Sequence, residues 1–250
     1  YFNKRIFISL NSTPIRLRAS NEISYKKNIK KGLVDISLIN KRTKFRYELD
    51  KKSLSFNSLE KDLYRGQIDF KPFYFSSKIN YENVSIKKLI KNKSLVIELI
   101  NSEILNNENL NVDINFNVKN ILNADKLNDL FIKLEIIEGN INLSNSEIKW
   151  NDDLIIRLNQ SFLDISDNDI NLLGKLVFEF RDIQNFYSFY QIKRSSRQKI
   201  KNIEIDFIYS LIGNDFRFDN PKINNNFNQN LEKFIENFNN KKVRTFNKIT

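Results

Sequence analysis

Apolar and polar side chains alternate with period two along most of this chain, and no other feature limits its possible folds as much. In "KFRYEL" (44–49), Phe45, Tyr47 and Leu49 stand against Lys44, Arg46 and Glu48. "VDINFNV" sets Val112, Ile114, Phe116 and Val118 against Asp113, Asn115 and Asn117. Ile141 and Leu143 share a side of "GNINLSN". Leu176, Phe178 and Phe180 alternate with Val177, Glu179 and Arg181, and Ile203, Ile205, Phe207 and Tyr209 with Glu204, Asp206 and Ile208. Successive side chains of a strand point to opposite faces, so each run makes one apolar and one wet face. Parallel strands buried on both sides would be apolar throughout. The expectation is a mainly β chain with a few short helices: an antiparallel sheet capped by an aromatic helix, either packed on a second sheet or curled or open into a groove.

Four of the five glycines, Gly32, Gly66, Gly139 and Gly174, immediately precede such runs. A glycine there reads as a turn with positive φ or a bend, and the spacing hints at a repeated β unit. Helical spacing is confined to three places. Over 85–106, Ile86, Leu89 and Ile90, then Leu95, Val96, Leu99 and Ile100, recur at intervals of three and four, with Ser85 and Ser94 as caps. Asp182 caps a second helix, whose face is Ile183, Phe186, Tyr187 and Tyr190, and Ser195 to Ile200 adds a turn. A third runs over 228–238 with Leu231, Phe234, Ile235 and Phe238 on one side. Its flanks, "NPKINNNFNQN" and "NNKKVRTFNKIT", read as polar and mobile. The expected organisation is a β-rich segment over 1–105, a second β region over 106–222 and a polar helix and tail over 223–250. A soft boundary falls near 106–110. Because the chain begins at Tyr1 and carries no signal peptide, it reads as a fragment of a longer protein.

Composition removes most chemistry. With 40% hydrophobic and 28% charged residues the chain belongs with globular proteins. No apolar run approaches the roughly 18 residues a membrane helix needs. There is no Cys and no His. Disulfides, thiolate metal sites, cysteine nucleophiles and every Ser-His pairing are therefore excluded. The net charge of +11 points either to nucleic acid or an anionic membrane, or to the Lys, Asn and Ile usage of an AT-rich genome. The lysines are scattered, which favours composition as the cause.

The remaining motifs are weak. No phosphate-cradling Gly-rich loop exists. Asp164, Asp167 and Asp169 lack the glycine and distal glutamate of a calcium loop and read as an acidic hairpin turn. Asp152-Asp153 and Gly213-Asn214-Asp215 read as turns too. Glu135 with Glu138, and Glu204 with Asp206, fall on polar strand faces or beside turns rather than across a cleft. The sharpest basic patch is Lys193, Arg194, Arg197, Lys199 and Lys201, which follows the aromatic helix. It suits anionic headgroups or nucleic acid, and cations are also favoured at a helix end. No catalytic signature, metal set or cofactor site emerges, so no enzyme is expected. The long apolar faces must be covered, either by a second sheet or by acyl chains, and alternation alone fits both. A basic nucleic-acid module, a purely structural β domain and an outer-membrane barrel fragment are the competing readings.

Taken in order, "LNVDINFNVKNI", "LEIIEGNINLSNSEIKW" and "LLGKLVFEFRDIQNFYSFYQIKRSSRQKIKNIEIDFIYSL" resemble the C-terminal region of AsmA-like proteins. The shared pattern is strand, turn, Gly-led strand with IKW, hairpin, Gly-led strand, aromatic helix, basic turn and closing strand. Upstream, "GQIDFKPFYFSSKINYENVSIKKLI" fits the same family, so the likeness covers roughly residues 60–220. The resemblance implies a periplasmic protein of Gram-negative bacteria, tethered to the inner membrane by an N-terminal anchor that this chain lacks. It also implies a bridge-like lipid transfer fold, with phospholipids and outer-membrane assembly components as partners and no nucleic acid. Groove residues are then Ile114, Phe116, Ile141, Leu143, Leu176, Phe178, Ile205 and Phe207. Lys193, Arg194 and Arg197 would meet anionic headgroups.

Overall fold

The computed structural model describes residues 5–12, 17–26, 29–38, 41–60, 63–85, 108–166 and 169–240. They build one sixteen-stranded sheet whose strands lie side by side almost in chain order. The strands are β1 (Arg5–Ser12), β2 (Leu17–Lys26), β3 (Ile29–Leu38), β4 (Lys41–Leu49), β5 (Ser53–Ser58), β6 (Tyr64–Phe70), β7 (Phe73–Ser85) and β8 (Asn111–Leu122). They continue as β9 (Leu127–Ile137), β10 (Asn140–Asn142), β11 (Glu147–Trp150), β12 (Leu154–Ser166), β13 (Asp169–Phe180), β14 (Asn202–Ser210), β15 (Asp215–Ile223) and β16 (Asn226–Phe227). The short strands β10 and β11 share one lane between β9 and β12. At about 4.8 Å per strand, the sheet runs roughly 65–70 Å along its curl.

The sheet is mainly β and curled as expected, with one departure. β7 and β8 pair in parallel, Phe75 beside Val112 and Ile79 beside Phe116. Parallel neighbours need a crossover of about a dozen residues or more, which a hairpin cannot give. The intervening 86–107 is long enough, and the helix expected over 85–106 would fall on it beyond Ser85. That segment lies outside the described residues, while Ser85 itself ends β7. The soft boundary at 106–110 coincides with this crossover, and hydrogen bonding continues across it.

The glycines require a correction. Only Gly139 is a turn residue with positive φ (80°), between β9 and β10. Gly32, Gly66 and Gly174 lie inside β3, β6 and β13. Gly32 pairs with Tyr47 and Gly66 with Phe56. A Cβ at either would strike the partner's ring, so each glycine makes room for an aromatic side chain lying over the neighbouring strand.

Three bulges keep the apolar side chains on one face. Asp129, Gln160 and Asn220 adopt positive φ inside β9, β12 and β15, and pairing shifts register at Gln160, between Asn159 and Phe162, and at Asn220, opposite the Glu204–Asp206 step. One extra residue reverses the side-chain parity. Leu158 and Leu163 therefore share a face although five positions apart, as do Phe218 and Ile223.

Two helices decorate the sheet. In α1 (Ile183–Phe189) the Asp182 side chain accepts from the Gln184 N–H at 2.8 Å, the N-cap expected from sequence. A single 3-10 turn, Arg194–Ser196, follows. In α2 (Gln229–Asn240) Ile235 is buried against β15, with Leu231 and Phe238 half-buried. Phe234, expected on the same side, is exposed instead. It lies a full 100° from Ile235 around the helix, away from the sheet. The stretch before α2 is also ordered, contrary to expectation. Asn224 and Asn225 make the β15–β16 turn with positive φ, and the Asn224 side chain joins Lys201 N–H and Lys199 C=O.

Candidate functional site

Pairing places the apolar residues of successive strands on a single face. Phe56 and Leu54 of β5 lie next to Gly66 and Ile68 of β6. Ile68 then meets Phe75, and Phe75 meets Val112. The row continues as Ile114–Leu134, Ile136–Ile141 and Ile141–Leu163. Beyond the bulge, Ile156–Phe178, Leu176–Ile205 and Phe207–Phe218 carry it to the far edge. On the N-terminal side Tyr47, Val34 and Ile23 extend it to Ile6 and Ile8 of β1.

The opposite face is wet. Arg157 spans three strands, donating to Glu147 Oε2 at 3.1 Å and Glu179 Oε1 at 2.8 Å. Lys149 pairs with Asp129 at 2.9 Å and Lys133 with Glu135 at 2.8 Å. Asp35 sits between Arg42 and Lys44, and the hydrogen bond from Arg42 holds its carboxyl down at about 2. A shallow concavity of about 680 Å³ is lined by Arg46, Arg65, Lys78, Glu48 and Asp113 together with Tyr47 and Phe56.

All eight residues expected to form a groove lie on the apolar side or at its rim. Ile114 and Phe116 of β8, Leu176 and Phe178 of β13, and Ile205 of β14 are half-buried. Leu143, just past β10, is half-buried and packs on the cluster of Val112, Ile136 and Ile141. Ile141 and Phe207 are only 2% and 4% exposed, so they form the floor rather than the contact surface. Among the described residues no second sheet lies over this face: each strand's extensive contacts are with its hydrogen-bonded neighbours, and α2 touches β15.

The margins of the face are closed by aromatics. Trp150 of β11 and Phe180 of β13 receive α1, with Phe186 at 5.4 Å from the Trp150 ring and 5.5 Å from Phe180. Phe189 meets Trp150 at 5.2 Å. Tyr187 is buried, and its hydroxyl donates to the Gln198 carbonyl at 2.9 Å. Asp153, read from sequence as a plain turn residue, fixes α1 from below. Its carbonyl accepts from Arg181 and Asp182 N–H groups, and its carboxylate from Asn185 Nδ2 at 2.8 Å. At the last long strand Phe238 packs on Phe218 at 5.6 Å. Asn239 bonds both backbone groups of Phe218, standing in for the missing neighbour strand. Sequence periodicity carried no sign of this edge cap.

Of the basic residues, Arg197 is engaged internally. It donates to the Ile192 carbonyl at 3.0 Å and to Gln184 Oε1 at 3.3 Å, and lies over the Tyr187 ring. Lys193 and Arg194 are exposed. Of the acidic residues expected in a hairpin turn, Asp164 lies in β12 opposite Asn171, Asp167 lies outside the described residues, and Asp169 opens β13, where its Oδ1 accepts from Ser210 Oγ at 2.9 Å. Among the described residues no group of His, Cys, Asp and Glu could hold a metal ion, and no helix is long and apolar enough to cross a membrane. No family model matches the chain, nor does any curated protein or solved structure.

Proposed function

We propose that this chain is a non-enzymatic lipid-handling protein of the AsmA type, which carries acyl chains along the apolar face of its sheet. The observation that supports the reading is continuity: one apolar face runs across the strands from β1 to β15, with no second sheet over it among the described residues. A globular core would instead close such a face with a second layer. Each acyl methylene buried there gains about 0.8 kcal/mol, so about ten of them gain roughly 8 kcal/mol before ordering costs. Headgroups stay in water at the rim, and movement requires no bond to be made or broken. The contact residues are Ile114, Phe116, Leu143, Leu176, Phe178 and Ile205, above a floor of Ile141 and Phe207. The setting that goes with this reading is the periplasm of a Gram-negative cell, in phospholipid transport and outer-membrane assembly, with tethering at the inner membrane.

The test is lipid extraction with native mass spectrometry on the purified chain and on Phe178→Asp. The reading expects phospholipid in stoichiometric amount on the wild type. It also expects its loss from Phe178→Asp with far-UV circular dichroism unchanged, because Phe178 is half-buried. Lipid-free, well-folded wild-type protein refutes the reading. So does Phe178→Asp that unfolds without first losing lipid, the behaviour of a plain core residue.

A further inference from the structure

At the end of α1 an exposed apolar cluster adjoins a basic turn. Phe189, Tyr190 and Ile192 are 50%, 53% and 37% exposed and adjacent in sequence. The inner sides of Phe189 and Tyr190 rest on Trp150, the marginal residue of the apolar face. Residues 183–201 contain no Asp or Glu, while Lys193, Arg194, Lys199 and Lys201 project without an ion-pair partner among the described residues. Lys126 adds its ammonium over the Phe189 ring at 5.5 Å. Of the carboxylates on this side, Asp153 and Asp182 are occupied with Asn185 and the Gln184 N–H, and Asp125 and Asp152 are exposed in the turns beside Lys126 and Trp150.

We propose that the tip of α1 and the basic turn after it dock this protein on the surface of an anionic phospholipid bilayer. Aromatic and aliphatic tips ringed by lysine and arginine match the chemistry of that interface, where rings sit at headgroup depth and cations meet phosphate. Single-stranded nucleic acid would use the same cations, but it also needs open ring faces for stacking. Here one face of Phe189 is covered by Lys126, and Ile192 offers no ring. Docking in this orientation sets the Trp150 margin of the apolar face against the bilayer, where a lipid would enter or leave. The docking itself does not depend on the apolar face carrying lipid.

The experiment is flotation with vesicles of phosphatidylcholine, with and without phosphatidylglycerol. The wild-type chain is expected to float with the anionic vesicles and not with pure phosphatidylcholine. Lys193→Glu with Arg194→Glu is expected to weaken binding at least about tenfold, since each cation near the surface contributes roughly fivefold. The same double reversal at Arg46 and Arg65, exposed on the polar face, is expected to change binding less than about threefold. Ile192→Ser is expected to weaken it several-fold, a loss that a contact made by charge alone would not show. No flotation, equal loss for the two reversed pairs, no effect of Ile192→Ser, or salt-steep binding to an oligonucleotide without binding to vesicles would each overturn the proposal. Lipid extracted from the Lys193→Glu, Arg194→Glu protein separates the two readings. Docking lost with lipid retained leaves the apolar track intact, and lipid lost from wild type with docking retained removes the track alone.

Discussion

Replacing Gly174 by alanine tests whether the strand glycines act by contact or by flexibility. Gly174 lies in β13 opposite the Gln160 bulge of β12. A Cβ there would come 2.7 Å from Ser161 Cβ and 2.8 Å from Ser161 Cα. Ser161 cannot yield. It is fully buried; its N–H donates to Ser144 Oγ at 2.8 Å, its hydroxyl to Asn159 O at 3.0 Å, and its carbonyl accepts from Leu143 N–H at 2.8 Å. The added methyl must push two backbones apart, an overpacking that costs about 2–3 kcal/mol. For a chain of this size that lowers Tm by about 5–10 °C. Gly32→Ala is the control, because its Cβ meets only the ring end of Tyr47. That ring can swing aside, at the expense of its hydrogen bond with Asn21 Nδ2 at 3.1 Å. The alanine meanwhile recovers about 0.4–1 kcal/mol through the unfolded chain. The expected net change is within about 1 kcal/mol. Both are read by thermal and urea unfolding followed by circular dichroism. Equal destabilisation by the two, or a neutral Gly174→Ala, would show that contact geometry at these glycines does not govern stability.

Asp182→Ala removes the only side-chain cap of α1 and is expected to cost about 1 kcal/mol. A seven-residue helix is marginal alone, so the loss should be local. Trp150, the single tryptophan, packs on Phe186 and Phe189 and should shift its emission to the red while the global unfolding midpoint hardly moves. Unchanged emission would mean that α1 is held by packing alone. Burial pushes the Tyr209 phenol above its ordinary value. The fold therefore favours the neutral form, and this contribution is complete below about pH 10 and lost as pH rises through the raised value. Subtracting the alkaline phenolate titration of Tyr209→Phe from that of wild type should reveal a group ionising after the exposed tyrosines, and a difference curve centred at or below the ordinary value would refute the assignment.

The fold class was legible because one physical cue repeats. In β8, β13 and β14, apolar residues at every second position mostly met apolar residues of the neighbours, as in Phe116–Ile132, Leu176–Ile205 and Phe178–Ile203, so alternation gave both strand and face. The Asp182 cap and the aromatic packing of α1 were legible for a similar reason, being local in sequence. What alternation could not give is where it reverses. Leu158 and Leu163 share a face five positions apart, which only the Gln160 bulge explains. The same holds for Phe218 and Ile223 around Asn220. The glycines misled because a residue without Cβ serves a turn and a close approach equally well, and the ring that decides between them comes from another strand. Asn239 on the Phe218 backbone joins residues 21 apart through side-chain amide bonds, which leave no period in the sequence. The candidate face was likewise legible as a set of residues, whereas its division into floor and rim depends on depth, which Ile141 and Phe207 do not betray by position.

On the lipid-handling reading, the depth of those residues also sets what kind of ligand the face prefers. No more than about a third of Leu176, Phe178, Ile203 or Ile205 is exposed. Full burial of such a side chain is worth about 1.5–3 kcal/mol, so each has roughly 0.5–1 kcal/mol left to give. Four of them together return about 2–4 kcal/mol, whereas a single acyl chain brings about 0.8 kcal/mol for every methylene it hides. Most of the driving force then belongs to the ligand. No pocket of matched shape is required, and the half-buried stripe has none of the convergent polar groups that fix one ligand in one orientation. Affinity on such a face rises with the length of the chain laid along it and depends little on the headgroup, which stays at the rim. On that reading the face would take up lipids as a class rather than one species.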